Sequence, residues 1–323
     1  MEHRIIPLSV VIPTINRHKC VVDAVQSLCS GSCVPSQIVV VDQSSEAISY
    51  DSFTGILGGI QIEVIHLSID SLTHARNVGI EKAKEELILF CDDDILVNES
   101  SVEKTYERIS EQQTALVAGI HDKANANYSG QKYRNLLKDI FVTILGMKQF
   151  WRTDGYVIKY NMRGRYAAGI TQCANTDWAM GYYFCIKRSI LEKMDHYFDE
   201  HLVRYAYSED LDFSIRYCSK AKQLGFRTIV DPEIYVIHLA SQEWRVPKQE
   251  GVDYGFVNRR YLSWKLYPNR WDYRVLMEIM DRLYLLTQIR NKEFAREIRS
   301  ALKLCRDNKR SIQRGEIANL RNG

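Results

Sequence analysis

The sequence predicts an α/β protein: a mixed, mostly parallel sheet flanked by helices, with a helical extension at its C-terminal end. Two observations carry this expectation. Short continuous runs of β-branched and aliphatic residues alternate with segments whose apolar residues recur at helical spacing, the pattern of a parallel sheet covered on both faces. Several of these runs stop at carboxylates, most plainly Leu87–Cys91, which runs into Asp92-Asp93-Asp94.

In chain order, Leu8–Ile12 is a strand stopped by Pro13, and Lys19–Leu28 is a helix. Gln37–Val41 is a second strand, ending at Asp42, and Ile62–Ile65 a third. Leu72–Ala83 reads as a helix with Ser71 or Thr73 as its N-cap, followed by the fourth strand, Leu87–Cys91. Ser101–Glu111 is helical and Ala115–Ile120 extended. Between His121 and Thr176 no period dominates; within it, Tyr133–Trp151 is apolar enough for a buried helix or for a surface helix that touches lipid. Trp178–Ile186 is a strand and Ser189–Met194 a short helix. Ser208–Leu224 is a longer helix closed by Gly225, and Arg227–Val230 and Ile234–Ile237 are further strands. From Trp271 to about Cys305 apolar residues form a helical stripe, interrupted near Asn291, with a basic opposite face; the tail from Asn308 is expected to fray.

Composition narrows the function classes. With 323 residues and 46% hydrophobic content the chain can bury a large core, and a net charge of +3 does not describe a polyanion binder, so no nucleic-acid partner is expected. The charge is uneven: from residue 290 onward there are ten Lys and Arg against four acids. No apolar stretch reaches the length of a membrane span, and the N-terminus lacks the pattern of a signal peptide. Eight scattered cysteines show neither zinc-site spacing nor a disulfide framework, as expected in a reducing cytosol. No glycine-rich dinucleotide fingerprint or P-loop is present.

Three adjacent carboxylates repel one another and resist burial unless something neutralises them. Oxygen ligands suit Mg²⁺ or Mn²⁺, and ligands of open α/β sheets sit at the carboxyl ends of strands. The alternative is a solvated acidic turn. Asp42 ends a second strand at the same edge, where Pro13, Thr14, Asn16 and Arg17 follow the first. Arg76 lies on the helix before the acidic run. A further acidic group, Glu209-Asp210-x-Asp212, opens a helix that Ser208 could cap, which suits the helix dipole but does not explain the crowding.

As a set these segments resemble glycosyltransferase family 2: Val10-Val11-Ile12-Pro13-Thr14-x-Asn16-Arg17, Val39-Val40-Val41-Asp42-x-Ser44-Ser45, Ala75-Arg76-Asn77-x-Gly79, Asp92-Asp93-Asp94 and Glu209-Asp210-x-Asp212. The resemblance spans roughly residues 7–240. It implies the GT-A fold, a Rossmann-like domain over 1–240 with a nucleotide-binding half (1–100) and an acceptor-binding half (101–240), followed by the helical extension 241–323. It implies an inverting, metal-dependent transfer of a sugar from a nucleotide-diphospho-sugar, a UDP-sugar in the first place, to a hydroxyl of a cell-surface glycan or lipid-linked saccharide. Position by position, Pro13, Thr14, Asn16, Arg17, Asp42, Arg76, Asp92 and Asp93 are implied as donor contacts and Asp94 as the metal ligand, with Asp93 a competing ligand. His238 stands where some relatives bring a histidine to the metal. Asp210 is implied as the catalytic base beside Glu209, and Trp178, Met180 and Gly181 as the acceptor wall, with a core role for Trp178 as the alternative. Like charges at Glu209 and Asp212 should raise the pKa of Asp210.

Departures from the family pattern are Gln43 after Asp42 and the bulky Tyr182-Tyr183-Phe184 after Gly181. Gly155–Thr176, with Arg163, Gly164 and Arg165, is expected to be a mobile loop over the donor or an exposed basic loop. A cytoplasmic protein is expected, with a peripheral contact at the inner membrane face through the basic C-terminal helix as the alternative to a solvated face. Competing readings are a sugar-phosphate nucleotidyltransferase, disfavoured because no glycine-rich basic loop follows the first strand, and a non-catalytic glycosyltransferase-like subunit or scaffold.

Overall fold

The computed structural model describes residues 3–56, 59–121, 154–165, 167, 169–204, 206–239, 247–318 and 320. The apolar segment 133–151 lies outside the described residues. Parallel strands β3 (Gln61–His66), β2 (Cys33–Asp42), β1 (Arg4–Thr14) and β4 (Leu87–Cys91) lie side by side in that order. The sheet continues through β10 (Tyr183–Lys187), antiparallel to both neighbours, then β6 (Thr114–His121), β11 (Arg227–His238) and β5 (Ile95–Val97), with the two-residue β9 (Ala174–Asn175) also on β11. A separate hairpin joins β7 (Tyr156–Ile158) to β8 (Arg163–Arg165).

Both sheet faces are covered, as the continuous apolar strands require. Helices α1 (His18–Leu28) and α3 (Ser101–Ser110) bury Val21, Val25, Leu28, Val102 and Ile109 against one face. Helices α2 (Leu72–Lys82) and α5 (Glu209–Gln223), with the short α4 (Arg188–Leu191), cover the other. There Phe198 and Phe213 stack at 4.3 Å and Phe90 packs on Phe184 at 4.9 Å, an aromatic wedge beneath the ends of β4 and β10. Ser71 is the cap of α2, its hydroxyl accepting from the His74 amide, and Gly225 closes α5 in the left-handed region at φ +80°.

The structure revises several sequence expectations. The strand expected from Trp178 begins only at Tyr183, and the preceding residues run along the sheet edge as a site wall. The two strands around Pro232 are one strand, β11, whose register with β6 shifts between Val230 and Tyr235; proline removes a ladder donor there. Strand β5, too short to be legible, pairs antiparallel with the end of β11 and sets Ile95 opposite His238. The described part of 155–176 holds the β7–β8 hairpin, tied down by Trp178, whose indole donates to the Arg165 carbonyl at 2.7 Å, and β9 on the main sheet.

The C-terminal segment forms four helices: α6 (Lys248–Leu266), α7 (Trp271–Thr287), α8 (Lys292–Asp307) and α9 (Lys309–Arg314). The break at Asn291 is a cap, its side chain accepting from the Phe294 amide at 3.2 Å. The tail does not fray where expected, because Ile312 and Ile317 are buried against the other helices. Helix α6 escaped the sequence reading because Phe256 through Ser263 are all buried, leaving no one-sided stripe. Its core also takes in Met162, Trp178, Leu202 and Leu211, so these helices pack on the second half of the sheet domain.

Candidate active site

Parallel pairing places Thr14 opposite Asp42 and brings the ends of β1 and β4 together, so the groups following these strands meet at one edge. They line a cavity of about 440 Å³ that also receives residues from α2, the Met180–Tyr182 wall, the start of α5 and the end of β11. Pro13, Thr14, Arg17, Arg76, Asp92, Asp93, Asp94, Met180, Gly181, Glu209, Asp210 and His238 all reach it.

Three expected residues do not. Asp42 is fully buried, and its oxygens accept from the Ser44 and Ile48 amides at 2.9 and 2.8 Å, which folds its own loop. Asn16, at φ +51°, ties the β1 and β2 loops together by accepting from Ser45 and donating its amide to the Ser44 hydroxyl. Trp178 packs over Gly164, where a Cβ would come within 2.6 Å of the ring, and faces a neighbouring cavity. Gln43 does line the cavity, and its side chain accepts from the Ser71 amide at 2.6 Å.

The three acidic residues have different surroundings. Asp93 is held by Thr14 and Arg17, whose donors lie 2.6 and 2.9 Å from its two oxygens. Asp94 lies 3.5 Å from Arg17 and 3.3 Å from His238 Nε2, while the Leu239 amide donates to its carbonyl. Asp92 keeps 31% of its side chain exposed and accepts from Arg76 at 3.0 Å. Desolvation, with the neighbouring acids and against the nearby arginines, pushes Asp92 up to about 6 and Asp93 up to about 7. His238 stacks on Tyr182, whose hydroxyl donates to the Gly119 carbonyl; Tyr183 and Phe184 point into the two cores.

Arg76 is the hub. Fully buried over the Phe198 ring, its guanidinium donates to Glu209, Asp92 and the Gly181 carbonyl. Gly181 leaves room for this arrangement: a Cβ there would lie 3.0 Å from both Arg76 Nη2 and Glu209 Oε1, so one of them would have to give way by a few tenths of an ångström. Asp210 accepts from the Gly181 and Leu211 amides at 3.2 and 2.7 Å. Desolvation, then the Glu209 charge, raises its pKa well above the ordinary carboxylate range. The expected contribution of Asp212 is corrected: that carboxylate turns away to Arg216 and Lys265, at 2.6 and 2.8 Å. Ser208 does not cap α5 with its hydroxyl. It adopts φ +73°, and Arg204 and Ala206 are also left-handed, a strained turn that presents Glu209 and Asp210.

Arg204 and Tyr207 line the cavity and were missed, since no motif marks the turn. Arg204 pairs with Glu250 of α6 at 2.7 Å. Ser208 and Asp210 also line a second cavity, of about 330 Å³, walled by the β7–β8 hairpin, Trp178 and helices α6 to α8.

A profile described as Glycosyl transferase family 2 matches residues 9–194, more than half of the chain. The chain belongs to glycosyltransferase family 2. Among curated relatives it is 28% identical over 128 residues to glycosyltransferase GlyG of Streptococcus pneumoniae, covering 38% of this chain and 42% of the relative. It is 28% identical over 103 residues to the uncharacterized glycosyltransferase YwdF of Bacillus subtilis, covering 32% and 38%. The matched segments thus span less than half the length of either relative. Among solved structures, GalNAc-T7 with UDP, GalNAc and Mn²⁺ aligns with TM-score 0.54 and 16% identity over 84% of this chain and 53% of that one. Mannosyltransferase PcManGT from Pyrobaculum calidifontis, in complex with GDP-Man and Mn²⁺, aligns with TM-score 0.50 and 12% identity over 93% and 75%. S. aureus TarS 1–349 with UDP gives 0.50 and 17% over 88% and 73%. At such identities the likeness establishes the fold, which is GT-A. No described helix is long and apolar enough to cross a membrane.

Proposed function

We propose that this family member is an inverting, metal-dependent glycosyltransferase that moves a sugar from a nucleotide-diphospho-sugar to a saccharide hydroxyl. The observation that carries this reading is the position of Asp210 on the rim of two cavities, one holding the carboxylates of β4, the other walled by the hairpin and the C-terminal helices. A base placed between donor and acceptor is what a single displacement needs. The acceptor oxygen bonds to the anomeric carbon as the bond to the diphosphate breaks, the electron pair leaves with the diphosphate, and the acceptor proton passes to Asp210.

The residues at the β4 and β11 ends fit a divalent cation. Asp94, in the turn between β4 and β5, and His238, at the end of β11, converge as an oxygen and a nitrogen donor, a set that Mn²⁺ accepts readily. Such an ion would neutralise charge on the leaving diphosphate. Asp93 is engaged by Thr14 and Arg17 and holds the β1 loop against the acidic run, which favours Asp94 over Asp93 as the ligand. Asp92, partly exposed, is suited to a ribose hydroxyl. Arg76 positions Glu209 and Asp92 from behind. Uridine remains the leading nucleoside, in keeping with the UDP in two of the aligned structures. We take 1–240 as the transfer domain and 241–323 as an extension that walls the acceptor cavity, and a growing cell-surface glycan, free or lipid-linked, as the acceptor.

A thermal-shift screen of UDP-, GDP-, dTDP- and CMP-sugars with and without Mn²⁺, on wild type and Asp94→Ala, tests the reading. One nucleotide class should stabilise the wild type in the presence of metal, because a ligand that binds only the folded state raises its stability by mass action. A shift that survives Asp94→Ala unchanged would remove Asp94 from the metal site.

A further inference from the structure

Helices α7 and α8 carry a surface that the reaction does not use. On α7, Trp271, Val275, Ile279 and Leu286 recur at spacings that place them within one narrow face of the helix. Each is exposed, Trp271 at 70% and Leu286 at 60%, and Ile289 extends the row at 56%. Across from it, α8 presents Arg299, Lys303 and Arg306 on a single exposed face, continued by Lys309 on α9. Between the two rows runs an apolar groove of about 950 Å³, rimmed on the α7 side by Arg274 and Arg282. Among its lining residues seven are cationic and one, Glu278, is acidic. Glu278 is already engaged by Arg260, itself paired with buried Asp281. The whole chain carries a net charge of only +3, so this face concentrates positive charge that the rest of the molecule offsets.

We propose that the α7–α8 face docks on an anionic phospholipid bilayer, with the Trp271 row entering the headgroup boundary and the exposed cations Arg282, Arg299, Lys303, Arg306 and Lys309 meeting lipid phosphates. Exposed apolar side chains bordered by Lys and Arg are the composition of an interfacial helix pair. The alternation of apolar row, groove and basic row suits a layer that is apolar below and anionic at its surface. A two-fold self-association through the same patch would set its cations against their own copies, with few carboxylates to offset them. Indole at the end of α7 suits a headgroup-level anchor. The surface rests on the proposed transferase reading only for its purpose, which is to hold the transfer site near a lipid-linked acceptor.

The test is flotation of the full chain with vesicles of phosphatidylcholine alone and of phosphatidylcholine with about a third phosphatidylglycerol, in low and high salt, without donor or acceptor. The chain should float with the anionic vesicles only, and raising the salt should release it, since surface attraction decays over a Debye length. Arg299→Glu with Lys303→Glu should reduce partitioning by roughly 10-fold or more, and Trp271→Ser with Ile279→Ser by a similar factor. Both pairs lie on exposed surface, and an unchanged thermal transition checks their folding. Equal flotation with neutral vesicles, retention by both double variants, or loss of flotation alongside concentration-dependent dimerisation that the variants abolish would each overturn the proposal. Failure here would leave donor binding at Asp94 untouched, so the two readings fail separately.

Discussion

Asp210 and Asp212 stand two residues apart at the start of one helix and have opposite surroundings. A spacing of two turns them toward different sides of α5. Asp212 is fully buried between Arg216 and Lys265. Its neighbour Asp199 shares Lys265 and also accepts from Tyr261. Burial would raise Asp199, but these donors hold it well below the ordinary carboxylate range. Asp210 accepts from two backbone amides, while the guanidinium that lowers its pKa, Arg76, is engaged by Glu209 and Asp92. One acidic group is therefore matched by cations at its own oxygens and serves packing. The other is left under-compensated at a cavity, where it can take a proton. His196, Asp199 and Asp212 converge like metal ligands, yet with Lys265 and Arg216 in place that group is an ion-pair network. The position of the counter-charges, more than the density of acids, separates the proposed site from the structural network.

The contrast can be broken most forcefully at Asp210. Asp210→Asn should lower kcat by ~10²–10⁴-fold through loss of the base, with donor binding retained. Transfer assays paired with donor titration read this, and a variant with near wild-type kcat would move the base elsewhere. Asp212→Asn should do the reverse. Weakening the hold on Arg216 and Lys265, which keep the His196 and Tyr197 carbonyls and Asp199 as partners, should lower stability by ~1–3 kcal/mol in urea unfolding, while the folded fraction turns over normally. Gly181→Ala, which presses a methyl on Arg76 and Glu209, should cost ~1–3 kcal/mol by overpacking and also depress kcat, since it disturbs the hub of the site.

The effect that is smallest per pH unit sharpens the comparison. Asp210 has a raised folded-state pKa, so the folded state holds its proton more tightly than the unfolded chain. Its contribution to stability is present below the ordinary value of 3.8 and is lost as pH rises toward the raised one. Asp210→Asn should therefore match wild type in acid and gain on it as pH rises, by at most ~1.4 kcal/mol per pH unit. Asp199, with its lowered pKa, has the opposite sign: its contribution is present above 3.8 and is lost as pH falls through the lowered value. Asp199→Asn should accordingly lose most relative to wild type at neutral pH and least in strong acid. Denaturation midpoints of the two variants across pH, in metal-free buffer, should diverge in these directions.

Much of this was legible beforehand. The four parallel strands, their covering helices and the break at Asn291 follow from local periodicity and capping, which act over a few residues. The gathering of Thr14, Arg17 and Asp92–Asp94 at one edge follows from parallel topology, which puts strand ends together; Arg76 and Asp210, on helices, were expected beside them from the family resemblance. Other features had no local signature. Helix α6 carries no one-sided stripe because its neighbours surround it. Strand β5 is three residues long and exists only by pairing with β11, a pairing that delivers His238 to Asp94.

The sequence by itself determined the α/β class, the order of the sheet domain and the inventory of carboxylates at strand ends, because a period and a stop signal are properties of neighbouring residues. Only the tertiary structure decided which carboxylates face the cavity. Asp42 spends its oxygens on its own loop, Asp93 on Thr14 and Arg17, and Asp212 on Arg216 and Lys265. A charge is defined by the partners that reach it, and for these three those partners come from as far as 79 residues away along the chain.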